Sequence, residues 1–530
     1  MPTSDSSKAL KDLGDRYWTR LLQTTPLQAL NQNGIGYLGG PLYATSIGDH
    51  RFDDQLDDLS PEAHAKLLAD LRALQQEAEK LSSDGLDAEE RISLQMLRAQ
   101  LADAQGAEAC QIDLWLVDPQ NGPQTQLAQA ALEGASPRRL AQSGRYFDQV
   151  IANLRTGLSR NLTASRANVQ RVIEQLADMQ ARPPVLDGVQ RFHDFLEREV
   201  LPKARPDEQL GVWALGLPGC YAFLSRRHTG TGQTPQELHE LGLRELEKLE
   251  AEMLQLSGGV PPATYRTQLA ARADQFKQSE EQLLGWYREL LARTVKALPT
   301  AFSDIPLRPL ELRPVEAYRA PSFPAAYYQP PPEDGKQPGI VYVNTFEPSK
   351  RPLYNGEALL FHEAVPGHHL QGSAMLDLRG LPEYRRQFGP TAYIEGWALY
   401  CERMADETMH LYSSPEARFG MLGLQAWRAA RLVVDTGMHE LRWSRQRSVQ
   451  FLLDHTTVTQ REAESEIDRY AATPGQALGY MVGELQIFKL RAEAQARLGA
   501  RFDLREFHAR VLAHGPLELP QLAQQLSAWR

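Results

Sequence analysis

The chain lacks most of the features that would assign it a class at sight. Only 3 of its 530 residues are cysteines, Cys110, Cys220 and Cys401. They are odd in number, far apart and in no C-x-x-C pair, so neither a disulfide framework nor a cysteine metal site is expected, and all three read as core residues. No apolar run approaches the length of a membrane helix, and the opening Met1-Pro2-Thr3-Ser4-Asp5-Ser6-Ser7-Lys8 has no hydrophobic stretch of the signal-peptide kind. On that reading the chain is cytoplasmic, or periplasmic or secreted if a leader has been removed. Basic charge is in deficit, with 57 Lys+Arg against 67 Asp+Glu and a net charge of −10. Phosphate binding relies on clustered Lys and Arg, so a nucleic-acid surface is not expected. No G-x-x-x-x-G-K-[ST] or G-x-G-x-x-G follows a strand, and strands do not alternate with helices, which excludes P-loop, dinucleotide-binding and barrel readings.

What is present is helical periodicity. From Leu10 to about Phe302 apolar residues recur at three and four, as in Ala63–Leu81, Glu89–Ala104 and Ser136–Met179. Ser60-Pro61-Glu62, Ser136-Pro137 and Thr234-Pro235-Gln236-Glu237 have the form of N-caps with proline at the first helical position. The character changes between Ile305 and Phe346, where prolines are dense and short β-branched or aromatic runs appear at Leu310–Val315, Ala325–Tyr328 and Gly339–Thr345. Helical pattern then resumes to the end. The expected fold is mainly α with a small β-sheet insert at about 305–346, divided as an N-terminal helical lobe over 1–304 and a sheet-plus-helix lobe over 305–530.

Directly after the expected sheet comes Leu360-Phe361-His362-Glu363-Ala364-Val365-Pro366-Gly367-His368-His369-Leu370-Gln371, which holds three of the chain's 13 histidines and a carboxylate. Imidazoles that hold an ion and a carboxylate that takes a proton from water are the chemistry of a hydrolytic zinc site. The usual H-E-x-x-H puts two histidines on one helix face. Here the later histidines follow His362 by six and seven residues, roughly 9 to 10 Å along a straight helix. Pro366 has no N–H to bond the carbonyl of His362, and Gly367 tolerates unusual dihedrals, so a kink is expected that draws His368, or its rival His369, back towards His362. A third ligand should come from elsewhere. Glu395 is the candidate, an acid in the apolar run Ala392-Tyr393-Ile394-Glu395-Gly396-Trp397, with Glu402 seven residues on as competitor or supporting group. His439, closing a long apolar helix, and Tyr480, after the glycine-punctuated Pro474–Gly479, could donate hydrogen bonds to an oxyanion. Their plainer readings are a helix C-terminal histidine and a packed aromatic.

Together with Tyr342-Val343-Asn344-Thr345 and Asp435-Thr436-Gly437-Met438-His439, these segments resemble the bacterial domain-of-unknown-function family eight-eight-five, grouped with the gluzincin-like zinc peptidases related to angiotensin-converting enzyme and thimet oligopeptidase. The resemblance spans about Asp15 to the C-terminus. It implies a two-lobed helical body around a deep cleft and a Zn²⁺ held by His362, a second histidine and Glu395. Matching the Gly-His pair of the relatives' H-E-x-G-H to Gly367-His368 favours His368. The implied activity is hydrolysis of short peptides, with Glu363 as general base and His439 and Tyr480 at the oxyanion. Asn344, on an edge strand lying along the site, is expected to hold the substrate backbone, and Arg491 to anchor a peptide carboxylate. Two other readings use the same residues: a non-catalytic peptide- or ligand-binding protein, and a metal-dependent hydrolase of another amide or ester.

Overall fold

The computed structural model describes residues 5–24, 40–180, 186–303, 307–315, 320, 325–332, 337–387 and 389–530. Met1–Ser4 and Ile305, both used in the sequence reading, lie outside them.

The chain is mainly helical, and local chemistry explains where the helices start. Ser60 caps Pro61–Lys80 by accepting from the N–H of Ala63, and Ser136 caps its short helix in the same way through Arg139. Thr234 and Glu237 form a reciprocal capping box at the start of Pro235–Leu256. That helix buries Leu238, Gly242, Leu246, Leu249 and Met253, one stripe at helical spacing. The stripe lies along Pro415–His439, in the same apolar core as Leu432 and Val433. Nearly every residue of Pro415–His439 is buried, which marks it as the central helix of the body. A second core gathers Phe361, Trp397, Tyr400, Ile487 and Phe507 around the histidine segment. Both cores draw residues from before and after position 304, so the expected lobe division does not coincide with a break in the packing.

The insert is a three-stranded sheet of order β1-β3-β2, with β1 Leu310–Pro314, β2 Ala326–Gln329 and β3 Gly339–Val343. β3 pairs parallel with β1 and antiparallel with β2. The strand just before the histidines is therefore central and not the edge strand expected along the site, so its backbone is paired on both sides. β2 is the strand that reaches the site, through Tyr328.

All three cysteines are core residues as expected, but the expectation of no disulfide fails. Cys110 and Cys220 form a disulfide across 110 residues of sequence, and only Cys401 is free. The pairing follows from Ala107–Cys110 packing in one core with the start of the Cys220–Thr229 helix, an approach that no sequence spacing encodes. Among the described residues, no helix is long and apolar enough to cross a membrane.

Candidate metal centre

The histidine segment forms two helices joined by a tight turn. Gly356–Glu363 ends where the Ala364 N–H bonds Leu360 O, and His368–Asp377 begins after Gly367. The Val365–Pro366 peptide is cis. The Gly367 N–H bonds Phe361 O at 2.9 Å and the His369 N–H bonds Ala364 O at 2.9 Å, so the turn folds back on the end of the first helix. Position 367 must be glycine for this, because a Cβ there would stand 2.0 Å from the carbonyl oxygen of His362. The neighbouring Thr391–Glu407 helix holds the turn from outside. Trp397 Nε1 donates to Pro366 O at 3.2 Å, and Cys401 Sγ lies 3.4 Å from the same oxygen.

The consequence is convergence. The His362 and His368 rings stand 4.8 Å apart and nearly perpendicular. Glu395 Oε2 is 3.4 Å from Nε2 of each histidine. The three ligand atoms lie within 4.8 Å of one another. A tetrahedral ion with bonds of about 2.1 Å separates its ligand atoms by about 3.4 Å, so these two edges fit one zinc-sized ion. They are long for hydrogen bonds. His362 also offers Nδ1 to Glu402 Oε1 at 2.8 Å, the carboxylate contact that fixes ring orientation and tautomer in metal-bound histidines. Arg428 stands 3.8 Å from that same oxygen. Glu402, the competitor for Glu395 in the sequence, is thereby placed behind His362.

His369 is turned away. Its Nε2 meets Arg308 O at 2.8 Å and its Nδ1 meets the Tyr328 hydroxyl at 3.1 Å, which ties the second helix to the sheet. Of the site residues, Glu363 and His368 are the ones partly open to solvent, whereas His362, Glu395 and Glu402 are buried.

The electrostatics follow from this packing. Burial would lower the His362 pKa, but the carboxylates of Glu395 and Glu402 outweigh it and push it up to about 9. Burial would raise Glu395, yet His368 and His362 hold its carboxyl well below the usual carboxylate range. Burial raises the pKa of Glu363 against the pull of His362 and His368, the direction a general base needs.

Tyr480 reaches this group through close helix packing. Gly483 on Gly479–Leu498 meets Gly396 on Thr391–Glu407, and a Cβ on Gly483 would stand 1.8 Å from Ala392 O. With no side chains between the backbones, the Tyr480 ring stacks at 6.4 Å on His362. Its hydroxyl is pushed up by burial and by the charge of Glu395, so it stays a donor.

Three expected residues do not join the site. His439 is buried with both nitrogens engaged: Nδ1 accepts from the Val212 N–H at 3.1 Å, and Nε2 meets Tyr470 O at 3.1 Å. It has no N–H left for an oxyanion, and burial drives its pKa down to about 3. Asn344 is fully buried, with Nδ2 donating to Ala320 O and Oδ1 accepting from the Phe346 N–H. It shapes the end of β3 and cannot hold a substrate. Arg491 lies 11 residues beyond Tyr480, about 16 Å along the helix axis, and its guanidinium meets Tyr400 and Thr408. The sequence reading passed over Arg428 and Arg431, whose signal was available: two cations inside an otherwise apolar helical run need buried partners.

A family model described as a bacterial protein of unknown function (DUF885) matches residues 41–526. Among solved structures, one described as a "putative lipoprotein" from Colwellia psychrerythraea superposes with a TM-score of 0.86 at 25% identity, covering 98% of this chain and 99% of that one. A second, described as a "putative lipoprotein of unknown function" from Shewanella oneidensis, has a TM-score of 0.72 at 17% identity over 99% and 100% of the two chains, and bears on the fold alone. No functionally curated protein matches.

Proposed function

Because the chain belongs to the DUF885 family, whose description assigns no chemistry, we propose its activity from the site itself: a zinc-dependent peptidase of gluzincin-like type, hydrolysing short peptides. The observation that carries the reading is the convergence of His362, His368 and Glu395, with both imidazole–carboxylate edges at 3.4 Å and all three ligand atoms within 4.8 Å of one another. Two imidazoles and one carboxylate, with a carboxylate behind one imidazole, are the donor set of hydrolytic zinc sites that keep an open position.

Bound there, zinc supplies Lewis acidity, which acidifies water and polarises a carbonyl. The chain's own residues do the rest. Glu363, on the open side beside both histidines, removes the proton from the attacking water and returns it to the leaving amine. Its raised pKa suits both halves of that exchange. Tyr480 keeps its proton and donates to the oxygen of the scissile carbonyl as negative charge develops. Glu402 holds the His362 ring, and the Trp397 contact to Pro366 O holds the turn, so the ligand atoms stay in place between turnovers.

The proposed location is outside the cytoplasm. The Cys110–Cys220 disulfide is typical of oxidising compartments, and the similar Colwellia protein is described as a "putative lipoprotein". The cytoplasmic expectation gives way on those two grounds.

The test is a peptide-library digest with the protein as purified, after chelation, and after restoring zinc. The proposal predicts cleavage that disappears with the metal and returns with it. Zinc binding with no cleavage of any peptide would replace the peptidase by a metal-bearing binding protein.

A further inference from the structure

The glycine-punctuated segment Pro474–Gly479 leads into Tyr480 and carries a buried glutamine that the chemistry above does not use. Gly475 takes a left-handed φ of 85°, and its N–H is held by Asp435 Oδ1 at 3.0 Å. Gln476 comes next, and it meets the end of the Gln460–Ala472 helix, where Arg469 Nη1 donates to Gln476 Oε1 at 2.9 Å. Arg469 is itself fixed by Glu466 at 2.8 Å. Gln476 is 2% exposed, and its side chain hydrogen-bonds the Tyr480 hydroxyl.

An amide can sit either way round, and Arg469 decides which. A guanidinium only donates, so the atom that faces it is the amide oxygen. The amide nitrogen is left for Tyr480, and among the described residues it has no other acceptor. That nitrogen also only donates, so the phenolic oxygen accepts this bond and the Tyr480 hydrogen cannot point at Gln476. The hydrogen is left for another acceptor, and a hydroxyl that accepts one bond is polarised into a stronger donor for the next. The ring is held as well: the Arg431 guanidinium stands 4.4 Å from its centre, and His362 stacks on it at 6.4 Å. We propose that Gln476, its amide oriented by Arg469, is a positioning residue that directs the Tyr480 proton to the substrate oxygen at the metal. This rests on the peptidase reading for the identity of that oxygen. Gln476 makes and breaks no bond in the reaction; it sets the direction of the hydroxyl that does the donating.

The experiment measures, by calorimetry, the binding of a phosphinic peptide to the zinc-loaded protein. Its tetrahedral phosphinate carries negative oxygens like the one that develops on the scissile carbonyl. Gln476→Glu replaces the donor by an acceptor that draws the Tyr480 proton to itself. The proposal predicts binding weaker by about 10- to 100-fold with zinc content unchanged, and no such loss when the same change is made in the Tyr480→Phe background. A loss caused only by the added negative charge or by damaged packing would be equal in both backgrounds. That result overturns the proposal, as does unchanged affinity or a wild-type protein that does not bind the phosphinic peptide. If Gln476→Glu does not fold, Gln476→Met decides: it removes the donor without adding charge, and should weaken binding by about 3- to 10-fold only where Tyr480 is present. A protein that shows this dependence on Tyr480 yet hydrolyses no peptide upholds the positioning role and refutes the peptidase reading.

Discussion

His362 and His439 lie in the same helical body, both nearly inaccessible to solvent, and they do opposite things. At His439 every ring nitrogen has an acceptor or donor on the backbone, from Val212 and Tyr470, and the ring stacks on Tyr221 at 5.1 Å. At His362 one nitrogen is held by Glu402 while the other faces Glu395 and His368 at a distance suited to an ion between them. Burial alone therefore does not mark a functional histidine. What separates a strut from a ligand is whether the hydrogen-bonding capacity is spent locally or aimed at a common point.

The contrast can be broken or sharpened by substitution. The largest effect is expected at Glu363, where Glu363→Gln should lower peptide turnover by about 10²- to 10⁴-fold and leave zinc content unchanged, measured by elemental analysis beside the digest. Next is His439→Gln, a test of the strut. The folded-state pKa of His439 is lowered from 6.5 to about 3, so as pH falls the unfolded chain takes up the proton first. The stability His439 gives the fold is complete above pH 6.5 and is lost as pH drops towards 3. At pH 7 the variant should be less stable by about 3 kcal/mol in denaturant titration, with zinc retained, and the gap to wild type should close by about pH 4. Glu402→Gln should weaken zinc by about 10- to 100-fold in a competitive chelator titration, while moving stability less than His439→Gln does. Tyr480→Phe changes the structure least and should lower kcat by about 10²-fold with KM little changed.

Much of this was legible in the sequence because it depends on neighbours along the chain. The N-caps at Ser60, Ser136 and Thr234, the helical periodicity and the bend at Pro366-Gly367 are local rules, and each is realised. Glu395 was visible as an acid in an apolar helix, and Glu402 as its neighbour on the same face. What was not legible depends on approach through space. The Cys110–Cys220 disulfide, the central position of β3 and the engagement of His439 with Val212 join residues far apart in sequence. Asn344 misled for a related reason: a polar residue after a strand reads as available, but its amide closes the turn that ends β3. Arg431 carried a readable signal, a cation within an apolar run, although its position beside Tyr480 did not.

The most direct test of the account is the zinc content, after dialysis, of three proteins: wild type, His362→Asn and His439→Gln. The account predicts near-stoichiometric zinc in wild type and in His439→Gln, and essentially none in His362→Asn. Zinc missing from the folded wild-type protein, or held equally by all three, would contradict it.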